Sequence, residues 1–295
     1  MFGKHLLEGK RILVTGGGTG LGREMAAKYL ELGAEVYICG RRQAPLEKTA
    51  VELTAKHGGS MKIRTVDIRD AQAVDAMVQS IWDDGGPLTG LLNNAAGNFI
   101  SRTEDLSSRG FDAIANTVLH GTFYMTHAVG KRWIAGKNRG SVVSIVVTWV
   151  WAGSPFVVPS AMSKAGVHVM TKSLAVEWGR HGIRLNAIAP GIFPTEGAGK
   201  RLAPGRDFRD EAVAVNPMRR TGNMPELQNL AAFLMADGCE FLTGQTIALD
   251  GGANLVNGGS FNELFKWGDA EWEKAREAIK AQNEKDKRER APGRS

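Results

Sequence analysis

The sequence predicts an α/β fold: a doubly wound parallel sheet of about seven strands in a single domain, followed by a C-terminal helical arm. Three observations support this prediction. Short apolar segments alternate with longer helical ones, a glycine-rich loop joins the first such pair, and no Pro- or Ser-rich linker divides the chain. Strands that alternate with helices form parallel sheets covered on both faces.

The first two strand–helix units are the most regular. Residues 11–14 are apolar and end in glycines, and residues 21–32 have helical spacing and stop at Gly33. Residues 35–39 and 44–56 give the second strand and the second helix. Five further strands are expected, with helices between them, at residues 62–66, 90–93, 141–147, 184–189 and 246–249.

The composition changes after Gly252. From Asn262 onward there are eight acidic and nine basic residues, and Phe265, Trp272 and Ile279 recur every seven residues. This pattern predicts a charged helix with one narrow apolar stripe, either a solvated appendage or an arm that packs on a neighbouring subunit. We therefore predict a core domain over residues 1–258 and a charged helical extension over residues 259–295.

Composition and charge exclude several classes of protein. Of the 295 residues 43% are hydrophobic, and 37 Lys+Arg against 31 Asp+Glu give a net charge of +6. Cys39 and Cys239 form no CxxC pattern, and the six scattered histidines have no completing ligands, which argues against a disulfide framework or a metal site. Residues 1–5 lack a signal-peptide pattern, residues 293–295 lack a peroxisomal address, and no apolar run approaches the ~20 residues of a membrane span. We expect a cytoplasmic protein without membrane insertion.

A glycine cluster stands where the first strand meets the first helix. Residues 15–22 are Thr-Gly-Gly-Gly-Thr-Gly-Leu-Gly, with the spacing Gly-x-x-x-Gly-x-Gly. A pyrophosphate can approach a backbone without Cβ atoms, and the helix behind it offers free N–H groups and the positive end of its dipole. We therefore predict dinucleotide binding, with contacts from Gly16, Gly18, Thr19, Gly20 and Leu21.

The end of the second strand predicts which dinucleotide binds. NAD sites usually place a carboxylate here for the ribose 2′-hydroxyl, whereas this chain has Arg41 and Arg42. A guanidinium pairs bidentately with phosphate and stacks on adenine. Arg41 and Arg42 therefore favour NADP(H).

Several motifs together resemble the short-chain dehydrogenase/reductase family over about residues 5 to 255. They are the 15–22 loop, Asp67, the Asn93-Asn94-Ala95-Ala96-Gly97 segment, Lys164 and Pro190-Gly191. The resemblance implies a Rossmann fold, a homo-oligomer (a tetramer) and cofactor contacts from Asp67, Ile68, Asn94, Ala95, Ala96, Gly97, Lys164, Pro190, Gly191 and Ile192. It further implies that Asp67 contacts the adenine, that the 190–192 turn holds the nicotinamide carboxamide and that Lys164 binds the nicotinamide ribose.

The catalytic pattern departs from this family. Its members ordinarily use Asn, Ser, Tyr and Lys, and the corresponding positions here hold Val118, Val147, Ser160 and Lys164. Reduction of a ketone needs a proton donor at the carbonyl oxygen, and a serine hydroxyl is too weak an acid to replace the tyrosine. Carbonyl reduction is therefore disfavoured.

One branch of the family, the NADPH-dependent 2,4-dienoyl-CoA reductases, is similar in this substitution pattern. Residues 93–101, 156–160, 163–167 and 230–234 resemble that branch. The resemblance implies reduction of a conjugated acyl-CoA in fatty acid metabolism, with a thioester oxyanion to stabilise. By the same resemblance Asn98 binds the thioester carbonyl, Phe99 and Ser107 lie near the thioester, and Arg69 lies near the CoA phosphates. Ser160 and Lys164 would organise the ribose and a water.

Trp149 stands eleven residues before Ser160, where the mitochondrial members of the branch carry a catalytic tyrosine. The peroxisomal members also lack that tyrosine and have an aspartate at the position of Val118. An indole N–H donates a hydrogen bond but is not an acid near neutral pH. In one interpretation Trp149 holds the thioester oxygen or a proton-delivering water; in the other, Trp149 and Trp151 only pack.

These observations predict an NADPH-dependent reductase of a conjugated C=C bond in an acyl-CoA. The alternatives are a trans-2-enoyl-CoA reductase of the same fold and an NADP-binding protein with little catalysis that acts through its arm. The arm contributes only +1 of the net charge, and Arg41, Arg42, Arg69 and Lys164 lie at predicted cofactor and CoA sites. The basic balance therefore fits two anionic small molecules and not nucleic acid.

The segment between Thr195 and Pro217 is predicted to be a substrate lid.

Overall fold

A seven-stranded parallel sheet forms the centre of the protein, in the order β3-β2-β1-β4-β5-β6-β7. The strands are β1 (Arg11–Thr15), β2 (Glu35–Gly40), β3 (Met61–Thr65), β4 (Gly90–Asn93), β5 (Gly140–Ile145), β6 (Ile183–Pro190) and β7 (Thr246–Leu249). The predicted doubly wound sheet is confirmed, and every strand end lies within two residues of its prediction. The strand order reverses between β1 and β4, and open α/β sheets bind ligands at such a point, beyond the carboxyl ends of the strands.

The computed structural model describes residues 2–195, 213–256, 264 and 266–290. Its helices are α1 (Gly20–Glu31), α2 (Gln43–His57), α3 (Ala71–Asp83), α4 (Ser108–Ala115), α5 (Gly121–Ala135), α6 (Trp149–Ala152), α7 (Val158–Trp178), α8 (Met224–Met235), α9 (Ala253–Val256) and α10 (Asp269–Arg290). A π-helical segment, Asn116–His120, joins α4 to α5, and a 3-10 turn, Gly179–His181, follows α7. Within these ranges no helix is long and apolar enough to cross a membrane. Residues 196–212 of the predicted lid lie outside them.

Both faces of the five inner strands are buried, whereas the edge strands β3 and β7 are only partly covered. Successive residues of each strand point to opposite sides of the sheet, so each inner strand contributes to two apolar clusters. In β1, Ile12 and Val14 join one apolar cluster, whereas Leu13 joins the other. The first cluster includes the inner faces of α1 and α8, and the second includes those of α3 and α5. The strands are therefore held from both sides, and their carboxyl ends form a fixed edge for a site.

The chain divides into two compact units, Met1–Asn254 and Leu255–Ser295. The second unit contains α10, the charged helix predicted for the arm. The rings of Trp267 and Trp272 pack edge to face there, with centroids 5.1 Å apart. Of the predicted apolar stripe, Trp272 and Ile279 are exposed, and Phe265 lies outside the described residues. The boundary after residue 258 stays a prediction.

Candidate active site

The glycine loop turns sharply between β1 and α1. The backbone has left-handed φ values of +66° at Gly16 and +57° at Gly20, and the Gly16 N–H donates to the Cys39 carbonyl at 2.8 Å. A Cβ atom at Gly22 would overlap Asn94 Nδ2 and the Gly16 carbonyl oxygen. The first turn of α1 therefore packs on Asn94 and on the Gly16 carbonyl too closely for any side chain at position 22.

Thr15 connects this loop to the exit of β4. Its Oγ1 accepts hydrogen bonds from the backbone N–H groups of Asn94 at 2.9 Å and Ala95 at 3.0 Å. In return, Asn94 Nδ2 donates to the Thr15 carbonyl at 3.1 Å. Two predicted cofactor residues, Asn94 and Ala95, are thereby brought against the glycine loop. Thr15 was not among the predicted cofactor contacts; its position directly before the glycines is the signal that could have marked it.

A cluster of charges lies beside the ends of β2 and β3. The Arg69 Nε donates to both Asp67 carboxylate oxygens, at 2.9 and 3.0 Å, and its Nη2 donates to Asp67 Oδ2 at 2.5 Å. The hydrogen-bonded Arg69 guanidinium lowers the pKa of the Asp67 carboxyl, and the charge of Arg41 lowers it further. The structure therefore places Arg69, predicted for the CoA phosphates, on the carboxylate predicted for the adenine.

Arg41 and Arg42 are exposed at the start of α2, where Arg42 is the N-cap residue. Neither side chain forms a hydrogen bond or a salt bridge with a described residue. An unpaired guanidinium beside a phosphate-binding loop is available to an anion. Ile68, next to Asp67, is buried against Gly121 of α5 and contributes packing to this end of the site.

The first two turns of α7 bring Ser160 and Lys164 to one buried face, because residues four apart share a side of a helix. The Lys164 Nζ donates a short hydrogen bond to the Ile145 carbonyl at the end of β5. Burial lowers the pKa of Lys164 to about 8. The Ser160 hydroxyl forms no hydrogen bond with a described residue. The pair thus offers a free hydroxyl and an amine that changes protonation near neutral pH.

The loop after β4 carries Asn98, Phe99 and Ser107. The Asn98 Oδ1 accepts the Phe99 backbone N–H at 2.9 Å, so the Asn98 Nδ2 group stays available as a donor. The Ser107 hydroxyl caps α4 and accepts the Gly110 N–H at 3.1 Å. Asn98 is therefore equipped to bind a carbonyl oxygen, whereas Ser107 already has a structural role.

The two tryptophans of α6 have different surroundings. Trp151 packs its ring edge to face on His168 of α7, with centroids 6.1 Å apart, and His168 Nδ1 lies 2.8 Å from Thr246 Oγ1. Trp149 begins α6, is partly buried, and its indole N–H forms no hydrogen bond within the described part of the chain. Trp151 therefore contacts His168 while 46% of it stays exposed, and neither indole N–H of α6 has a hydrogen-bond partner within the described part of the chain.

The turn predicted to hold the nicotinamide begins at Pro190, the last residue of β6, and continues through Gly191 and Ile192. The Gly191 N–H donates to the Leu249 carbonyl at 2.9 Å, and a Cβ atom at Gly191 would crowd the Asp250 backbone. This turn therefore continues the β6–β7 edge. Among the described residues, no group of His, Cys, Asp and Glu could hold a metal ion.

Two comparisons identify the family. A family model described as enoyl-(acyl carrier protein) reductase matches residues 16–254, from the glycine loop to α9. The crystal structure of a short-chain dehydrogenase from Bacillus anthracis is 38% identical, covers 83% of this chain and 96% of its own, and superposes with a TM-score of 0.75. The chain belongs to the short-chain dehydrogenase/reductase family. It is therefore an oxidoreductase of a family that binds nicotinamide cofactors.

Two relatives within this family share most of their length with the chain. A probable (3E)-enoyl-CoA-producing 2,4-dienoyl-CoA reductase of Caenorhabditis elegans is 44% identical over 285 residues, covering 95% of this chain and 92% of the relative. A probable (2E)-enoyl-CoA-producing 2,4-dienoyl-CoA reductase of Bacillus subtilis is 38% identical over 247 residues, covering 83% of this chain and 97% of the relative.

The chain differs from the usual short-chain dehydrogenase/reductase pattern in the interior of the site. Val118 is fully buried in the π-helical segment, where the family asparagine would stand. Val147 follows β5, and Ser160 replaces the tyrosine on α7. Of the four positions at which the family ordinarily has Asn, Ser, Tyr and Lys, two therefore hold apolar residues here. Only Lys164 matches the family pattern.

Proposed function

We propose that this protein uses NADPH to reduce the conjugated diene of a 2,4-dienoyl-CoA, an acyl-CoA intermediate of unsaturated fatty acid oxidation. The observation that carries the proposal is Ser160 in place of the tyrosine, one turn from the buried Lys164. Such a site lacks the acid that a ketone reductase needs, but it retains the group that orders the nicotinamide ribose. The higher identity to the (3E)-enoyl-CoA-producing relative favours a (3E)-enoyl-CoA product.

The glycine loop suits the cofactor, because Gly16 and Gly20 have left-handed φ values and the loop carries no Cβ atoms at its glycines to keep a pyrophosphate from the backbone. The predicted residues of the 15–22 loop, the Asn94–Gly97 segment and the 190–192 turn would hold it, with Arg41 and Arg42 on the 2′-phosphate. When bound, the reduced nicotinamide supplies a hydride for carbon–carbon reduction.

The protein's own groups act on the developing thioester oxyanion and on a proton. The free Asn98 Nδ2 donates to the thioester oxygen, and such a preset donor stabilises negative charge as it appears. Trp149 offers its unpaired indole N–H to the same oxygen or to a water. Ser160 and Lys164 hold a water and the ribose, and Phe99, Ser107 and Arg69 line the path of the acyl-CoA.

The proposal includes a cytoplasmic homo-oligomer, a tetramer by family resemblance. An exposed apolar stripe on α7 supports self-association: Met162, Val169 and Val176 are seven residues apart and all face solvent. Exposed apolar groups that recur on one side of a helix are typical of surfaces that contact another protein.

A screen of NADPH oxidation with 2,4-dienoyl-, trans-2-enoyl- and 3-oxoacyl-CoA thioesters tests the proposed function. We expect turnover with the dienoyl-CoA, with a (3E) double bond in the product by NMR. Turnover of the enoyl-CoA alone would replace the proposal by an enoyl-CoA reductase, and turnover of the 3-oxoacyl-CoA would contradict the argument from Ser160. Tight NADPH binding without turnover, and a partner lost on truncation after Gly259, would indicate a non-catalytic protein that acts through its arm.

The Trp149→Phe variant is expected to lower kcat about ten-fold without changing the Kd of NADPH, because one hydrogen bond to a charged oxygen is lost. The Trp149→Tyr variant is expected to have a higher kcat than Trp149→Phe, since a phenol can donate a proton as well as a hydrogen bond. Trp151→Phe is the matched control, because Trp151 packs on His168. Steady-state kinetics measure kcat for each variant. Equal kcat values for wild type and Trp149→Phe would show that Trp149 takes no part in the reaction.

A further inference from the structure

Two neighbouring loops at the carboxyl edge of the sheet expose large apolar side chains beside the proposed site. Ile100 lies on the loop after β4, and Phe156, 58% exposed, lies on the loop between α6 and α7. The Ser101 N–H donates to the Phe156 carbonyl at 2.9 Å, so the backbones that carry the two side chains are joined directly. Adjacent exposed apolar groups at a site indicate a surface that a ligand covers.

Phe156 is held in an unfavourable backbone conformation. Its φ is +63°, in the left-handed region, which a bulky side chain rarely adopts. Gly153, with φ +73°, begins the same turn, and the buried Val157 ends it. Such strain persists where surrounding contacts enforce it, and it concentrates at ligand-binding positions. Here the enforced conformation leaves an aromatic ring in water instead of in the core.

The positions of the proposed reacting groups indicate what covers this ring. Asn98, the proposed partner of the thioester oxygen, precedes Ile100 by two residues. Ser160 follows Phe156 by four residues, in the first turn of α7. Each exposed side chain is therefore close in sequence to a proposed reacting group: Ile100 to Asn98, and Phe156 to Ser160. An apolar chain extending from carbons bound between Asn98 and Ser160 would have these two exposed side chains close by in the sequence.

We propose that Phe156, together with Ile100, forms an apolar wall for the acyl chain beyond the conjugated double bonds, and that it sets a preference for long chains. This inference rests on the proposed acyl-CoA substrate. It assigns to Phe156 a role in substrate specificity that is separate from the chemical step.

The test measures the affinities of the full chain for hexanoyl-CoA and dodecanoyl-CoA by calorimetric titration in the presence of NADP⁺. Both thioesters are saturated, so neither can be reduced during the titration. Wild type is expected to bind dodecanoyl-CoA more tightly than hexanoyl-CoA. Phe156→Ala and Phe156→Gly are both expected to lose about ten-fold of that preference, with hexanoyl-CoA affinity unchanged, because apolar contacts distinguish methylene groups to this extent. Glycine suits the left-handed conformation and alanine does not, so an effect shared by both variants belongs to the ring.

Phe241→Ala serves as the matched control, since Phe241 is a fully exposed phenylalanine on the loop before β7. An unchanged chain-length preference in both Phe156 variants would overturn the inference. Loss of the preference in the alanine variant alone would also overturn it, because the effect would then come from the backbone conformation and not from the ring. A wild type that binds neither thioester would contradict the proposed function as well. A wild type that reduces dienoyl-CoA, with Phe156 variants of unaltered preference, would contradict only the wall.

Discussion

Replacement of Lys164 by methionine is expected to lower dienoyl-CoA turnover at least about a hundred-fold and, at pH 7, to raise the free energy of unfolding by about 2 kcal/mol. Turnover falls because the group that organises the ribose and the water is lost. Stability rises because Lys164 is a buried cation whose pKa is lowered by burial to about 8 from 10.5. Methionine fills similar space without charge, although it leaves the Ile145 carbonyl without its partner.

The pH dependence of that gain has a definite sign. Between pH 8 and pH 10.5 the unfolded chain keeps the Lys164 proton that the folded protein has released, so wild-type stability rises with pH across this window. Below pH 8 the folded protein bears the whole cost of the buried charge. The advantage of the Lys164→Met variant should therefore be largest at and below pH 8 and should fall as the pH approaches 10.5.

Urea unfolding at pH 7 and pH 10, with kinetics at pH 7, measures both effects. Lys172→Met is the matched control, because Lys172 is an exposed residue of the same helix and should change neither quantity much. A Lys164→Met variant less stable than wild type at pH 7 would contradict the expected gain and show that the lost hydrogen bond to the Ile145 carbonyl outweighs the cost of the buried charge. A variant with normal turnover would remove Lys164 from the reaction.

The second large effect is expected for the pair Arg41→Asp and Arg42→Ser. The double variant should raise the Kd of NADPH at least about a hundred-fold and leave the Kd of NADH within a few-fold of wild type, because charge-assisted bonds to the 2′-phosphate are lost. The new carboxylate at position 41 can accept the ribose 2′-hydroxyl of NADH. Both arginines are exposed and make no ion pair with a described residue, so little else should be disturbed.

Fluorescence titration with NADPH and NADH measures this change of preference. Lys48→Ser is the matched control, since it removes an exposed cation from α2, the same helix. Tighter binding of NADH than of NADPH by the wild type would contradict the assignment, and so would an unaltered NADPH affinity in the double variant.

Much of the fold follows from local patterns that the sequence makes visible. The strands β1 and β6 are continuous apolar runs because both faces of the sheet are buried, and their bounds could be predicted closely. The strand β5 was predicted two residues too long at its end, since Val147 is as apolar as the strand but leads into α6. Apolar periodicity alone does not reveal where a strand leaves its sheet.

The candidate site was predictable where a motif fixes the backbone and less so where side chains choose partners. The glycine cluster lies between β1 and α1, as the sequence predicted, and Gly16 and Gly20 have left-handed φ values there. The contact between Arg69 and Asp67 was not predicted, because it depends on side-chain conformation within an irregular loop. The different surroundings of Trp149 and Trp151 likewise depend on packing between α6 and α7.

The Thr15 hydroxyl connects the glycine loop to the loop after β4, and this contact would couple the binding of the two proposed ligands. It holds the backbone of Asn94 and Ala95, where the loop that carries Asn98 begins. If the proposed cofactor orders the glycine loop, it would also order the start of the loop that carries Asn98. That conformational entropy would then not be lost again when the proposed thioester binds. Thermodynamic reciprocity then requires the acyl-CoA to tighten cofactor binding by the same factor. The contact between β1 and the β4 exit would thus make the two ligands bind cooperatively, each raising the affinity of the protein for the other.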